Sequence, residues 1–185
     1  MIKTLTELVE TVKAKGTKTR IAVVSAEDSN TLGAVVRAAV EGFILPILLG
    51  NPEKIKSLCQ VEELPLDESW ILPCDNEAEA AAQAVSMIHA GEADVLMKGL
   101  IGTDKFLKAV LNKEKGLLPP KAVMSYVCAL ELPRYHKLLF ISDTAVIPFP
   151  DLDQKIAMTN YAVKMALSFG IEQPKVALIS ATEKP

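Results

Sequence analysis

The sequence predicts a three-layer α/β/α fold with a mainly parallel sheet. Four short apolar runs begin near residues 21, 46, 70 and 95, and a helical pattern fills each gap between them. Short apolar runs without polar alternation are typical of strands buried on both faces. Strands of this kind that alternate with single helices indicate right-handed crossovers, with helices on both sides of one sheet.

Length and charge restrict the class of protein. The chain has 185 residues, of which 50% are hydrophobic, so it can bury a sizeable core. The net charge of −3 and the lack of a basic block argue against a nucleic-acid partner. We expect no membrane segment and no signal peptide, because no apolar run has the required length. The three cysteines share no metal-ligand spacing, which favours reduced cysteines, no metal site and a cytoplasmic location.

The elements of the first part of the chain can be assigned in order. Helices are recognised by apolar residues three or four apart, and their starts by capping residues such as Asn51, before Pro52, and Asn76. The predicted elements are a helix over 4–15, a strand over 21–25, a helix over 32–40, a strand over 46–50, a helix over 53–59, a strand over 70–73, a helix over 77–90 and a strand over 95–97.

The turn between the fourth strand and the next helix is the best candidate for a ligand site. The apolar run Val95–Met97 stops at Lys98 and Gly99, and Thr103 opens an amphipathic helix. A helix start beside a glycine-bearing turn offers free amides to anions, and Lys98 adds a positive charge. Thr103 is expected to cap the helix or to bond a ligand oxygen. A plain turn with a solvated lysine is the alternative, because one such turn is a weak motif.

The pattern changes at the proline pair Pro119–Pro120, which divides the chain into a predicted first α/β domain, residues 1–120, and a second, residues 121–185. The apolar segments 122–130 and 137–141 lie too close for an intervening helix. They are therefore predicted to form an antiparallel pair.

The predicted second domain ends abruptly. Asp151 is expected to cap a helix that ends at Gly170, and residues 174–180 are predicted to form a buried strand. The chain stops five residues after that strand. We therefore expect the second domain to be incomplete and the chain to be truncated.

Five segments, taken together in their order and spacing, resemble the phosphate acetyl/butyryltransferase family. They cover residues 22–28, 97–103, 141–146, 150–152 and 174–184. The butyryl branch is the closer match, because of the Lys-Gly-x-x-x-Thr pattern that starts at Lys98 and the Ser-Ala-x-Glu-Lys pattern that starts at Ser180.

The resemblance implies an acyltransferase that moves a short-chain acyl group between coenzyme A and phosphate. Acyl phosphate and free coenzyme A are the products in one direction, and coenzyme A is a substrate, not a bound cofactor. The implied enzyme uses no metal and no covalent intermediate, and works in a cleft between two domains of an isocitrate-dehydrogenase-like fold. The resemblance also implies a homodimer or larger homo-oligomer. The family's catalytic serine, arginine and acid belong to a carboxyl-terminal part that no segment here matches, so the catalytic residues stay unknown.

The positions of certain residues at strand ends, together with the resemblance, predict a set of substrate-binding residues. They are Lys98, Gly99, Thr103, Ser142, Asp143, Thr144, Ser180 and Glu183. Acyl transfer to a thiol requires thiol deprotonation, charge stabilisation at the carbonyl oxygen and a clamp on the phosphate. Asp143 is a weak candidate for the base, and a loop-capping carboxylate is its alternative role. Helix capping is favoured for Asp28.

Other functions fit parts of the sequence. One is a non-catalytic module that binds coenzyme A or phosphate, and another is a different acyl-phosphate-forming enzyme of related fold. A metal-dependent dehydrogenase would need clustered aspartates, and a receiver-like domain would need an acidic cluster after the first strand. The sequence shows neither. The choice among acetyl, butyryl and branched acyl groups stays open.

Overall fold

The computed structural model of the protein describes residues 1–179. Contacts within the chain define two compact units. One unit is Val12–Pro119, and the other combines Met1–Thr11 with the chain from Pro120 onward. The domain limits at residue 120 and the incompleteness of the second domain stay predictions.

The Val12–Pro119 unit is built on a four-stranded parallel sheet in the order β3-β2-β1-β4, which confirms the predicted architecture. Its strands are β1 (Thr19–Val24), β2 (Ile44–Gly50), β3 (Ile71–Pro73) and β4 (Val95–Lys98). The helices in the first 119 residues are α1 (Leu5–Ala14), α2 (Ser29–Val40), α3 (Pro52–Val61), a 3₁₀ turn at Glu68–Trp70, α4 (Glu77–His89) and α5 (Thr103–Val110).

Apolar side chains cover both faces of this sheet, because alternate residues of each buried strand point to opposite sides. One cluster joins strand residues to the alanine-rich helix α4 and contains Ala22, Val24, Leu49, Ala80, Ala81 and Ala84. The other cluster joins the strands to α2 and α3 and contains Val23, Leu32, Leu48, Ile55 and Cys59. The sheet therefore lies between two helical layers.

The predicted helix starts are confirmed by their side-chain caps. The Asp28 carboxylate accepts a hydrogen bond from the Thr31 amide at 2.9 Å, and Asn51 Oδ1 accepts one from the Lys54 amide at 3.0 Å. Asn76 Oδ1 accepts from two amides of the first turn of α4. Each cap satisfies amides that have no partner inside their own helix.

An ion pair holds β4 to β1 at the amino edge of the sheet. The Arg20 guanidinium donates to both carboxylate oxygens of Asp94, and the Asp94 amide donates to the Arg20 carbonyl at 2.9 Å. Hydrogen bonds from the Arg20 guanidinium and from the Arg20 amide to the carboxylate lower the pKa of Asp94 to about 2. They fix the start of β4, so the position of its carboxyl end follows from the parallel register of Ile21 with Val95.

The second unit contains a small antiparallel sheet and one long helix. Strands β5 (Cys128–Leu130) and β6 (Leu139–Ile141) pair antiparallel, as predicted, although both are shorter than the predicted segments. Helix α6 (Leu152–Ser168) begins at Asp151, which forms a reciprocal capping box with Gln154. The Ile2 amide donates to the carbonyl of Phe169, which ties the chain's first residues to the end of α6.

The predicted buried strand at 174–180 is wrong over its described part. Residues 174–179 form no strand, and the side chains at its end are exposed, Leu178 by 77% and Ile179 by 90%. A strand needs a hydrogen-bonded neighbour, and residues 1–179 supply none for this segment. Ser180 lies outside the described residues. None of the helices in the described part combines the length and the apolar character that a membrane crossing requires.

Candidate functional site

The turns that follow the strands of the parallel sheet come together at its carboxyl edge, as the topology predicts. The Ala26 amide, after β1, donates to the Leu49 carbonyl at 3.2 Å, and the Cys74 amide, after β3, donates to the Gly50 carbonyl at 3.1 Å. Ligands of open parallel sheets bind outside this edge. Two turns matter below: the β1 turn, residues 24–27, and the Lys98 turn, residues 98–103.

The Lys98 turn is hydrogen-bonded directly to the β1 turn. The Gly99 amide donates to the Val24 carbonyl at 2.9 Å, and the Leu100 amide donates to the Ser25 carbonyl at 2.8 Å. The expectation that all amides of this turn are free is therefore wrong for Gly99 and Leu100. The amides of residues 101–103 have no backbone acceptor within residues 1–179. Ile101 is fully buried, so the amides of Gly102 and Thr103 are the ones that remain for an anion.

Close backbone approach explains the glycine at position 99. A Cβ built there would overlap the carbonyl oxygen of Ser25 and lie 2.6 Å from that of Val24. Real Cβ atoms essentially never come this close to an oxygen, so any side chain would push the two turns apart. Gly99 is therefore required by its neighbour on β1.

Lys98 is exposed at the carboxyl end of β4. Its Nζ lies 3.4 Å from the carbonyl oxygen of Gly99, and in the described part of the chain no carboxylate lies within 4.0 Å of it. The Asp104 carboxylate also lies at this helix start, and its Oδ1 is 2.8 Å from the place that a Cβ on Gly102 would take. Lys98 thus supplies the cationic character of the turn.

Thr103 is the first residue of α5, and Gly102 occupies the capping position with no side-chain bond. The capping role expected for Thr103 is therefore wrong. Its side chain is exposed and contributes no hydrogen bond to the helix start.

Glu27 lies at this edge, and the sequence offered helix capping as its alternative role, as it did for Asp28. Its Oε1 accepts a hydrogen bond from the Asn51 amide at 2.8 Å, and its Oε2 lies 3.2 Å from Lys54 Nζ. The signal in the sequence was a carboxylate just after one strand and a capped helix start, Asn51–Pro52, just after the neighbouring strand. Only the parallel pairing of β1 with β2 brings the two together.

In the second unit, Asp143 organises the turn after β6. One carboxylate oxygen accepts from the Ser125 hydroxyl and the Tyr126 amide, both at 3.0 Å. The other accepts from the Ala145 amide at 2.9 Å and the Val146 amide at 2.8 Å. This is the loop-capping role that the sequence offered as an alternative to a base.

The electrostatics of Asp143 agree with a holding role. Partial burial tends to raise its pKa, but hydrogen bonds from the amides of Ala145, Val146 and Tyr126 and from the Ser125 hydroxyl outweigh this effect. The pKa of Asp143 is lowered to about 2. A carboxylate of this kind is a poor proton acceptor at neutral pH.

The two residues that flank Asp143 have different environments. The Ser142 hydroxyl oxygen is buried and has no hydrogen-bond partner in the described part of the chain, whereas Thr144 is exposed. A buried hydroxyl without a partner costs about 1–3 kcal/mol, so a bound oxygen or nitrogen atom would relieve it. Ser180 and Glu183 lie outside the described residues.

The ring of His89 has a structural role. His89 Nε2 lies 3.2 Å and 3.1 Å from the carbonyl oxygens of Lys115 and Gly116, so the ring fastens the segment after α5. Among residues 1–179, no three His, Cys, Asp or Glu side chains are grouped so that they could hold a metal ion.

The fold and these turns define an α/β protein whose parallel sheet ends in a cationic turn at its carboxyl edge. Comparison with known proteins makes the class specific. Residues 75–185 match the family described as phosphate acetyl/butaryl transferase, and the chain belongs to that family. This confirms the resemblance read from the sequence.

Three similar proteins carry the names of phosphate acyltransferases. The phosphate butyryltransferase of Clostridium acetobutylicum is 40% identical over 99% of this chain and 60% of its own, and the phosphate acetyltransferase of Thermotoga maritima is 38% identical over 97% and 60%. A branched-chain phosphotransacylase from Enterococcus faecalis V583 superposes with a TM-score of 0.68 at 27% identity, over 89% of this chain and 57% of its own. The chain thus spans about three fifths of the length of these proteins.

The close approach at Gly99 gives a first test. Gly99→Ala is expected to lower the free energy of unfolding by about 1–3 kcal/mol, because the added methyl group overlaps two carbonyl oxygens. Gly33→Ala, inside α2, is the control: its methyl group would meet Arg37 Nη1 at an ordinary 3.5 Å and should stabilise the protein by about 0.5–1 kcal/mol. Urea unfolding measures both. Equal stability of the two variants would contradict the packing described for Gly99.

The carboxylate of Asp143 gives a second test. Its folded-state pKa of about 2 lies below the ordinary value of 3.8, so its contribution to stability is present above about pH 4 and is lost as pH falls towards 2. Asp143→Asn should therefore cost about 1–3 kcal/mol at pH 7 and progressively less below pH 4. Urea unfolding across this pH range measures the difference, with Asp75→Asn, an exposed residue, as the control. A loss that does not change with pH would contradict the account.

Proposed function

We propose that the protein to which this chain belongs transfers a short-chain acyl group between coenzyme A and phosphate. One structural observation supports the proposal in addition to family membership. The exposed ammonium of Lys98 stands at the carboxyl end of β4, beside a helix start whose amides at Gly102 and Thr103 have no backbone acceptor within residues 1–179. This combination suits a phosphate group, which carries negative charge and several acceptor oxygens.

The reaction sets three requirements. In the direction that consumes free coenzyme A, the thiol loses its proton to a base and the sulfur attacks the carbonyl carbon of the acyl phosphate. The new carbon–sulfur bond forms, the carbon–oxygen bond to phosphate breaks, and phosphate leaves with that electron pair. The enzyme must therefore accept a proton, stabilise the oxyanion of the tetrahedral intermediate and hold the phosphate.

The Lys98 turn is proposed to hold the phosphate. Lys98 and the helix start attract the anion, while the Asp104 carboxylate opposes it. Two unit charges about 4 Å apart interact by about 1 kcal/mol in water and about 4 kcal/mol near a protein surface. Loss of Lys98 would therefore leave the helix start alone to offset the Asp104 carboxylate.

The turn after β6 is proposed to bind substrate through Ser142 and Thr144. The Ser142 hydroxyl has a donor without an acceptor, and a carbonyl or phosphate oxygen would satisfy it. Asp143 would act by orienting this turn and not as the base, because its pKa is about 2. Ser180 and Glu183 stay proposed substrate residues from the sequence pattern, and the catalytic base stays unassigned.

The proposed substrates are acyl-coenzyme A with phosphate, or acyl phosphate with coenzyme A. Coenzyme A is a substrate in this proposal, and no resident cofactor is invoked. A cytoplasmic location and assembly into a homodimer or larger homo-oligomer belong to the same proposal. The similar proteins carry butyryl-, acetyl- and branched-chain names, so all three acyl classes should be assayed.

Removal of the Lys98 charge tests the proposal. In protein expressed from the complete reading frame, Lys98→Ala should raise the KM for phosphate about tenfold, because one charge-assisted contact is lost. Thiol release from butyryl-, acetyl- and isobutyryl-coenzyme A in the presence of phosphate measures the effect. Lys18→Ala is the matched control, since Lys18 is also exposed but precedes β1 at the opposite edge of the sheet.

Two results would count against the proposal. Unchanged kcat and KM values for both substrates in Lys98→Ala would remove the Lys98 turn from the reaction. Coenzyme A binding by the intact protein without phosphate-dependent thiol release would favour a non-catalytic binding module.

A further inference from the structure

The β1 turn is held from both sides. On the β2 side, the Ala26 amide donates to the Leu49 carbonyl at 3.2 Å. On the β4 side, the carbonyls of Val24 and Ser25 accept the amides of Gly99 and Leu100. Ser25 is buried and has a φ of 56°, in the left-handed region that few residues other than glycine adopt. This conformation therefore depends on the contacts around it.

Glu27 supplies the side-chain contact that closes this arrangement. Its side chain is only 17% exposed, and its Oε1 receives the Asn51 amide at 2.8 Å. The packing is tight, since a Cβ on Gly50 would lie 2.9 Å from the same oxygen. The paired Lys54 is 67% exposed, so water screens that ion pair. The hydrogen bond from the Asn51 amide is therefore the specific interaction.

The Glu27 carboxylate also occupies the start of α3. A helix start attracts anions, and here the protein supplies its own. The end of β2 resembles the end of β4 in having a glycine followed by a helix, but its Asn51 amide already has the Glu27 carboxylate as its acceptor. The helix start beside Lys98 has no side-chain cap of this kind.

We propose that Glu27 is a positioning residue for the phosphate-binding Lys98 turn. It fastens the β1 turn to the start of α3, and the β1 turn in turn holds the amides of Gly99 and Leu100, next to Lys98. The proposal deepens the proposed function and rests on it for the identity of the ligand. Glu27 contacts Asn51 on the β2 side of β1, whereas Val24 contacts Gly99 on the β4 side. The effect of Glu27 on Lys98 is therefore indirect.

Three single variants separate the effect of the hydrogen bond from the Asn51 amide from the effect of the ion pair with Lys54. Glu27→Ala removes the acceptor of the Asn51 amide and should raise the KM for phosphate about tenfold. Glu27→Gln keeps an oxygen acceptor and should restore a KM within about twofold of the wild type. Lys54→Ala removes only the ion pair and should leave KM unchanged. All are measured in protein from the complete reading frame by phosphate-dependent thiol release.

A double variant tests whether Glu27 acts through Lys98. If it does, Glu27→Ala should raise KM by a smaller factor when Lys98 is already alanine, so the two effects are not additive. Additive effects, or a lower stability of Glu27→Ala with an unchanged KM for phosphate, would overturn the proposal. The second result would make Glu27 a residue of general stability only.

Amide hydrogen exchange gives a readout that does not depend on activity. Glu27→Ala should speed exchange at the amides of Gly99 and Leu100 about tenfold, and Glu27→Gln should not. If Lys98→Ala leaves the kinetics unchanged while this exchange still accelerates, the Lys98 turn is not the phosphate site, although Glu27 still positions that turn. If exchange and KM both stay at wild-type values in Glu27→Ala, the positioning role is wrong.

Discussion

Two hydrogen bonds between neighbouring turns set the geometry on which the candidate site depends. The amides of Gly99 and Leu100 donate to the carbonyls of Val24 and Ser25, so the Lys98 turn continues the pairing of β4 with β1 beyond the ends of the strands. The absence of a Cβ at Gly99 permits this approach. Lys98 therefore extends from a backbone that is fixed before any ligand arrives, which lowers the entropic cost of binding.

The rest of the Val12–Pro119 unit keeps these two turns in place. The strands are buried on both faces, and small alanine side chains let α4 pack closely on one of them. The Arg20–Asp94 pair fixes β4 at the opposite edge, and the Glu27 contact fixes the β1 turn against α3. In the second unit, Asp143 gives the turn after β6 a comparable internal anchor, with four hydrogen bonds to one carboxylate.

The features that the sequence predicted correctly are those with local causes. Hydrophobic periodicity predicted the four parallel strands, and capping chemistry predicted the helix starts at Asp28, Asn51 and Asp151. The failures concern partners that lie far away in the chain. Apolar character alone could not show that residues 174–179 lack a neighbouring strand in the described chain, nor that the amides of the Lys98 turn are partly used by β1. The contact of Glu27 with Asn51 arises from the sheet order and has no local signal.

The central claim is that the Lys98 turn, already fixed by β1, is the place where phosphate binds. A crystal structure of the complete protein grown with phosphate tests it most directly. Phosphate oxygens are expected at about 3 Å from Lys98 Nζ and from the amides of Gly102 and Thr103, while the amides of Gly99 and Leu100 stay hydrogen-bonded to Val24 and Ser25. Phosphate bound elsewhere with the Lys98 turn empty would contradict the claim, and so would phosphate bound by the amides of Gly99 and Leu100 after their release from Val24 and Ser25.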